Sequence, residues 1–509
     1  MAADKHERAH YFVDPALPSN CTWHLGTKEK FPHTYRPMPQ RQKLTPNILE
    51  AIGCTPLVRL NVIPQSEGIK CEMYAKCEYL NPGGSVKDRI GYRMIQEAEQ
   101  KGKLKPGYTV IVPTSGNTGI AIAMAAAVRG YRCISLLPDK MSNEKISSLR
   151  TLGAEILRTR DDIPYDSPEG LIGWAQRLER ELPNAIVMDQ FRDPANPLAH
   201  YDGTGEEILW QTDGKVDMVV MCAGTCGTLS GVGRKIKEKV PNCKIIAADP
   251  YGSTVARPVE LNESDVDFIE VEGIGYVFTS TVNDYNIVDK WVKMYDKDIF
   301  NMSRRLNKEE GLLCGGSSGA AMYAALEAAK ELKDDQRCVV ILPDSIRNYL
   351  TKCVSDNWME ARDFKPVVNE HNHWWWNTPL SALRFKAPLV LKSDVSFAKA
   401  IEALQERNAE HLALVDADDG TLLGAVIQDR LINQMVSLNR PHDNPIIDAV
   451  NRRAIRLPSN AILGKLARIL EADACVLIVD TEAGKEVIKA IATKLDVLSF
   501  ISKVGTQSK

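Results

Sequence analysis

Between residues 46 and 360, short β-branched apolar runs alternate with longer stretches of helical period. YTVIVP precedes GIAIAMAAAVRG, CISLLP precedes KISSLRTLG, DMVVMCAG precedes SGVGRKIKEKV, and KIIAADP and CVVILP complete the set. Strand-length runs with few polar positions read as strands buried on both faces, and their alternation with helices predicts an α/β fold with mainly parallel sheets. Residues 1–45 are polar and rich in Pro, Lys and His, which predicts an extended arm. Residues 361–379, with the Trp374–Trp376 triplet, read as a linker. From 380 to 509 a weak internal repeat emerges: PLVLKSDVSFAKAIEALQERNAEHLALVD, ending at Asp416, resembles AIRLPSNAILGKLARILEADACVLIVD, ending at Asp480. Each copy continues into a second apolar strand and helix, GAVIQDRLI and KAIATKLDVL. Two copies at roughly 65-residue spacing predict a pseudo-twofold pair, a form that suits ligand sensing or dimerisation better than catalysis. Two unrelated α/β segments are the plainer alternative.

Length and charge narrow the class. A chain of 509 residues exceeds one core and predicts about three domains. Lys plus Arg at 63 against Asp plus Glu at 66 leaves a formal charge of -3, which recommends neither nucleic acid nor an anionic membrane as partner. The opening MAADKHERAH has no apolar core of signal-peptide type, and no apolar run of about 18 residues follows, so the expected compartment is the cytoplasm. Twelve cysteines without dense spacing read as reduced thiols.

Candidate chemistry centres on Lys87, delivered by the turn-forming NPGGSVKDR to the start of a helix. A Schiff-base lysine must be deprotonated for part of its cycle, which desolvation permits, and it then carries a proton at a substrate α-carbon. Taken alone, the motif loses to a solvated lysine at a helix start. Two glycine-rich loops follow it. TSGNTG lies between a strand ending at Pro113 and an apolar helix, where helix-start N–H groups suit a carboxylate and the Asn117 amide suits the phenolic oxygen of a pyridoxal ring. GTCGT, Gly224, Thr225, Cys226, Gly227 and Thr228, precedes a helix expected from about Ser230 and suits a phosphate. It lacks a following Lys-Ser/Thr and is no nucleotide-hydrolysing loop. In LCGGSSG, Ser317 offers a neutral hydroxyl for a pyridine nitrogen, which fits β-elimination better than transamination. Generic capped turns would explain each loop singly. Their order along the chain points instead to pyridoxal phosphate held as a Schiff base on Lys87.

The chain resembles the animal, haem-containing cystathionine β-synthases, a family of fold type II pyridoxal phosphate enzymes. The match runs from CTW (21–23) through NPGGSVKDR, PTSGNTGI, NPLAHYD (196–202), EGIGY (272–276), LLCGGSSG, CVVILPDSIRNY and the WWW segment into the C-terminal repeats. The resemblance implies a β-replacement that eliminates water from L-serine and adds L-homocysteine to give L-cystathionine, with hydrogen sulfide from L-cysteine as a side reaction. It implies Lys87 as the Schiff-base lysine, Asn117 as the contact to the phenolic oxygen, Gly224–Thr228 as the phosphate cradle and Ser317 as the pyridine contact. Thr114, Ser115, Thr118 and Gln190 would hold the substrate carboxylate, and Gly275 and Tyr276 would line the pocket. It further implies haem b on the arm, with Cys21 and His33 as axial iron ligands and Arg234 as a cation beside the thiolate, although His10 and His24 compete on sequence alone. Residues 380–509 would form a tandem CBS-motif module binding S-adenosylmethionine, for which Thr493 and Asp496 match the ribose-binding pair. The first repeat has Ile427 and Arg430 at the equivalent places. A homodimer or larger homo-oligomer is the implied assembly.

Four positions depart from the family pattern: Val112 for a Glu, Phe191 for a pocket Tyr, Cys226 for the middle Gly of the phosphate loop, and Val277 for an acid. A side chain at Cys226 is expected to point away from the phosphate with a negative φ. Two other readings stay open. A cysteine synthase using O-acetylserine would share the Lys, SGNTG and phosphate-loop motifs but not the arm or the repeats. A degenerate, non-catalytic sensor of haem or an adenosyl ligand would account for the altered positions.

Overall fold

The computed structural model describes residues 44–114, 116–138, 140–159, 167–168, 170–437 and 440–505. Asn47–Lys509 forms one compact unit. Its largest sheet has six strands in the order β1 (Leu57–Arg59), β2 (Glu72–Cys77), β10 (Arg337–Leu342), β7 (Met218–Cys222), β8 (Lys244–Pro250), β9 (Lys290–Met294). Only β1 runs antiparallel to its neighbour. A second sheet, wholly parallel, has the order β5 (Glu155–Thr159), β4 (Arg132–Pro138), β3 (Thr109–Pro113), β6 (Ala185–Val187).

Strand alternation divides the large sheet into two apolar faces. Met218, Val220, Ile246, Ala248, Cys338 and Val340 enter one core, against helices Asp296–Glu309 and Gly316–Ala329. Val219, Met221, Ile245, Ala247, Val339 and Ile341 enter the other, against helix Gly227–Lys239. Side chains two apart share a face, so a strand covered by helices on both sides must be apolar at every position. This is why the strands read as continuous runs rather than alternating ones. The same rule settles Val112: it shares a face with Val110 in the core of the small sheet, while Ile111 turns to the opposite face.

In chain order the helices that matter below are α1 (Lys87–Gln100), α2 (Asn117–Arg129), α3 (Asn143–Thr151), α4 (Gly227–Lys239), α5 (Asp296–Glu309), α6 (Gly316–Ala329), α7 (Asp356–Ala361), α8 (Phe397–Arg407), α9 (Leu463–Ala472) and α10 (Lys494–Gly505). Helix α4 begins at Gly227, three residues before the expected Ser230, so the last residues of GTCGT are themselves its first turn.

The C-terminal repeats each build a three-stranded sheet of the same pattern. β11 (Val390–Lys392), β12 (His411–Val415) and β13 (Leu422–Ile427) correspond to β14 (Arg456–Leu457), β15 (Val476–Glu482) and β16 (Lys485–Ala492). In both, the first pair is parallel and the second antiparallel, with a register shift in the antiparallel pair. Ala413, Leu422, Ala425, Cys475, Leu477 and Val479 form one shared core between the copies.

The segment read as a linker is largely exposed but anchored at one residue. Trp376 is buried, its carbonyl accepts from Gly464 N at 2.9 Å, and a Cβ on Gly464 would collide with the indole. Leu380 and Leu383 enter the core of the second repeat. Among the described residues no helix is long and apolar enough to cross a membrane.

Candidate functional site

Four chain segments converge at the carboxyl ends of the parallel strands, the edge where open α/β sheets place their ligands. The first is the Lys87 turn. Gly84 has φ 84° and donates to Asn81 O at 2.8 Å, and Asp88 Oδ2 accepts from Gly83 N at 2.5 Å, closing the turn before α1. Val86 N donates to Pro343 O (2.7 Å) and Ser345 N to Gly84 O (3.1 Å), which ties the turn to the segment after β10. Two residues into α1, Arg89 is buried and forks onto Glu78 (2.7 Å to each oxygen) and Glu207 (2.7 and 2.8 Å). The start of α1 is thereby fixed. Lys87 is half-buried, and desolvation pulls its pKa below the ordinary lysine value, with Asp344 opposing the shift and Lys145 adding to it. A lysine with a depressed pKa is the form of amine that condenses with an aldehyde.

The second segment leads into α2. The Thr114 hydroxyl accepts from the backbone N–H of Gly116 and of Gly119, both at 3.0 Å, capping the helix start. Gly116 has φ 108°, and a Cβ there would meet Lys145 Cδ at 2.5 Å. Thr118 Oγ1 donates to Gln190 Oε1 (2.7 Å), so the two polar side chains expected at a carboxylate stand together. Ser115 lies outside the described residues. Asn117 opens α2, with its Nδ2 donating to Asp344 Oδ2 at 2.8 Å and its Oδ1 accepting from Asn348 Nδ2 at 3.1 Å.

The third segment is Gly224–Thr228. Gly224 has no room for a side chain, since a Cβ would lie 2.5 Å from Gly273 O, and the same contact brings Gly273–Tyr276 against the loop. Asn196 Nδ2 donates to Gln190 O (2.8 Å) and Thr225 Oγ1 (3.0 Å), and it fills the space beside Gly227. Thr228 Oγ1 meets His200 Nε2 at 3.0 Å, and His200 Nδ1 meets Thr204 Oγ1 at 2.9 Å. Burial, with Arg89 and Lys87 adding, pushes His200 down to about 3, so it is neutral at pH 7. Asn196 and His200 both belong to NPLAHYD, whose sequence had offered no physical role. Cys226 has φ 64°, not the negative φ expected, and its buried side chain belongs to the core with Met221, Leu229 and Val232.

The fourth segment is the start of α6, where Ser317 is buried and its carbonyl accepts from Cys222 Sγ at 3.0 Å. Gly275 N donates to Ala223 O (3.2 Å), and Tyr276 packs edge-on against Phe191 and Phe278 with centroids 5.7 and 5.4 Å away. Phe191 is therefore an apolar wall, and Val277 is exposed.

Sequence reasoning missed the polar chain behind Asn117. Tyr349 OH donates to Asp344 Oδ2; Lys145 Nζ contacts Tyr349 OH (3.0 Å) and Glu272 Oε2 (2.8 Å); Lys352 Nζ reaches Glu272 Oε1 (2.5 Å). Burial alone raises Glu272, but Lys145 and Lys352 more than reverse this and hold its carboxyl below the usual range. Burial raises Asp344 against the opposing effects of Lys145, Tyr349 and Asn117. EGIGY and PDSIRNY were visible as motifs, but nothing local in either says that they meet.

The remaining candidates lie elsewhere. Cys21 and His33 fall outside the described residues, and Arg234 pairs with Asp284 at 2.7 Å. Among the described residues no group of three or more His, Cys, Asp and Glu side chains is arranged to hold a metal ion. Thr493 N and Oγ1 both donate to Asp496 Oδ2 at 2.8 Å, so the pair caps α10.

The residues present fit pyridoxal phosphate. They combine a desolvated lysine, a glycine backed by a carbonyl at the start of a 13-residue helix, a buried amide beside a carboxylate, and the buried Asp344 Oδ1 with no partner among the described residues. The family model "Pyridoxal-phosphate dependent enzyme" matches residues 48–344, and the chain belongs to that class. Over 502 residues it is 51% identical to a cystathionine β-synthase of Apis mellifera, spanning 98% of this chain and 99% of that relative. With the rabbit (Oryctolagus cuniculus) protein of the same name it shares 44% identity over 506 residues, covering 97% and 92% of the two chains. The chain is a member of the cystathionine β-synthase family. Among solved structures, a hydrogen sulfide-producing enzyme of Fusobacterium nucleatum aligns with TM-score 0.56 and 36% identity, over 60% of this chain and 100% of that one. An O-acetylserine-dependent cystathionine β-synthase of Helicobacter pylori aligns with TM-score 0.56 and 34% identity, over 61% and 99%.

Proposed function

We propose that this chain condenses L-serine with L-homocysteine to L-cystathionine and water, using pyridoxal phosphate on Lys87. The observation that carries the reading is the desolvated Lys87 at the carboxyl edge of the sheets together with two separate helix starts, whose N–H groups suit a carboxylate and a phosphate. When bound, pyridoxal phosphate supplies an electron sink that loosens a substrate α-proton and lets a β-substituent leave. The protein's part is positional. The Gly224–Thr228 loop receives the phosphate on N–H groups of α4. Thr114, Ser115, Thr118 and Gln190 receive the substrate carboxylate, which points the α-carbon at Lys87. The Lys87 amine, kept from water, takes the α-proton and returns it at the end of the cycle. Ser317 offers the pyridine nitrogen a neutral hydroxyl, and Gly275 and Tyr276, with Phe191 behind them, close the pocket against solvent.

The same reading divides the chain into an arm at 1–45 holding haem b through Cys21 and His33, a catalytic core at 46–360, a connector at 361–379 and a regulatory CBS-motif module at 380–509. Thr493 and Asp496 are the contacts proposed for S-adenosylmethionine, with the capping hydroxyl and carboxylate turning to a ribose. Release of hydrogen sulfide from L-cysteine, homo-oligomerisation and a cytoplasmic location complete the proposal. The test is product formation by the purified holoenzyme. L-serine with L-homocysteine yields L-cystathionine; turnover with O-acetylserine alone would favour the cysteine synthase reading, and no turnover with either would favour the sensor.

A further inference from the structure

Asn117 opens a helix beside the small sheet, yet its amide is gripped by Asp344 and Asn348 from the segment that follows β10 of the large sheet. The two ends of a side-chain amide have nearly the same shape and opposite hydrogen-bonding character, so its partners must decide which end faces a ligand. Here the partners leave one solution. An ammonium only donates, and Lys145 Nζ donates to Glu272 Oε2 (2.8 Å) and to Tyr349 OH (3.0 Å). The Tyr349 hydroxyl, accepting from Lys145, gives its own proton to Asp344 Oδ2. Asp344 Oδ2, already the acceptor of that proton, must meet Asn117 at Nδ2 rather than Oδ1, and Oδ1 is taken by Asn348 Nδ2. Lys352 closes the far end on Glu272 Oε1 at 2.5 Å, so the Glu272 carboxylate is held between two lysines. One proton of Nδ2 is used by Asp344. The other remains to be given.

We propose that Asp344 is a positioning residue: it turns the Asn117 amide so that an N–H, not the carbonyl, meets the phenolic oxygen of pyridoxal phosphate, favouring the form in which that oxygen is deprotonated and its proton sits on the Lys87 nitrogen. The inference rests on the reading of Asn117 as the contact to that oxygen. Asp344 acts through Asn117, and Tyr349, Lys145 and Glu272 act through Asp344. Because Asn117 follows a strand of the small sheet and Asp344 follows one of the large sheet, the protonation of the cofactor depends on the two sheets staying docked.

The experiment reads the two protonation forms by the fluorescence excitation spectrum of the bound cofactor in the holoenzyme, with phosphate content as the measure of occupancy. Asn117→Ala lowers the ratio of the long-wavelength to the short-wavelength band. Asp344→Ala lowers it in the same direction, by about tenfold for one charge-assisted hydrogen bond. In the Asn117→Ala background, Asp344→Ala lowers the ratio by less than it does in the parent, since only the electrostatic effect of Asp344 on Lys87 remains. Tyr349→Phe shifts the ratio the same way by less, and it decides the matter if Asp344→Ala does not fold. A shift with Asn117→Ala and none with Asp344→Ala or Tyr349→Phe overturns the inference and leaves the Asn117 contact standing. No shift with Asn117→Ala overturns the contact itself, and the inference with it.

Discussion

Cys226 adopts the left-handed conformation that glycine tolerates best, and it does so in the loop read as the phosphate cradle. A Cβ there costs about 1–2 kcal/mol of backbone strain. The buried thiol, packed with Met221, Leu229 and Val232, offsets part of it. Removing the sulfur while keeping the Cβ therefore combines both losses, whereas removing both atoms relieves the strain. Cys226→Gly is expected to be more stable than Cys226→Ala by about 1 kcal/mol in chemical denaturation of the holoenzyme. Equal stabilities would mean that the left-handed backbone carries no strain. The other altered positions read more simply. Val112 faces the core of the small sheet, so the missing acid removes no group from the cleft as folded here, and Phe191 packs against Tyr276 and Phe278.

The elements around the phosphate loop make the site sensitive to acid. His200 is buried and neutral, with its pKa pushed from 6.5 to about 3 by desolvation first and then by Arg89 and Lys87. Only the unfolded chain can protonate it between those values. The stability it contributes is complete above pH 6.5 and is lost progressively as the pH falls toward 3. The His200→Gln variant is expected to show a flatter dependence of its urea midpoint on pH between 6.5 and 4.5 than the parent. Parallel curves would show that His200 titrates normally. His200 also marks where sequence reasoning stopped. The strands of the core were legible because burial on both faces writes a continuous apolar run, and the glycine loops because glycine is required where backbone must approach a ligand. The partners of those loops were not, since, the local Tyr349–Asp344 contact aside, Asn196, His200, Lys145, Glu272 and Asp344 find their partners through tertiary contacts between residues up to 227 apart. The onset of α4 was misplaced because Gly and Thr are poor helix formers, and tertiary packing starts the helix inside the loop.

At the scale of the whole molecule, the repeats are joined to the core by packing and not by a free tether. Helix α7 meets helix α9: Arg468 Nε lies 3.3 Å from Glu360 Oε2, Lys465 Nζ lies 2.7 Å from Asp363 Oδ1, and Asn357 contacts Glu471. Arg362 bridges Glu270 (2.8 Å) and Asp473 (3.9 Å), linking the second repeat to the segment that carries Gly275 and Tyr276. The apolar part of the joint is Trp376 over Gly464. Any side chain at Gly464 must displace the indole, so Gly464→Val is expected to destabilise the second repeat by about 1–3 kcal/mol and to raise hydrogen exchange across α9. Unchanged exchange would show that the connector does not brace the repeat. The central claim, at this scale as at the others, is that one lysine of this chain holds the cofactor. Borohydride reduction of the holoenzyme followed by peptide mass spectrometry tests it directly. The phosphopyridoxyl group is expected on Lys87 within NPGGSVKDR and nowhere else, and its recovery on Lys145, Lys76 or any other lysine would contradict the account.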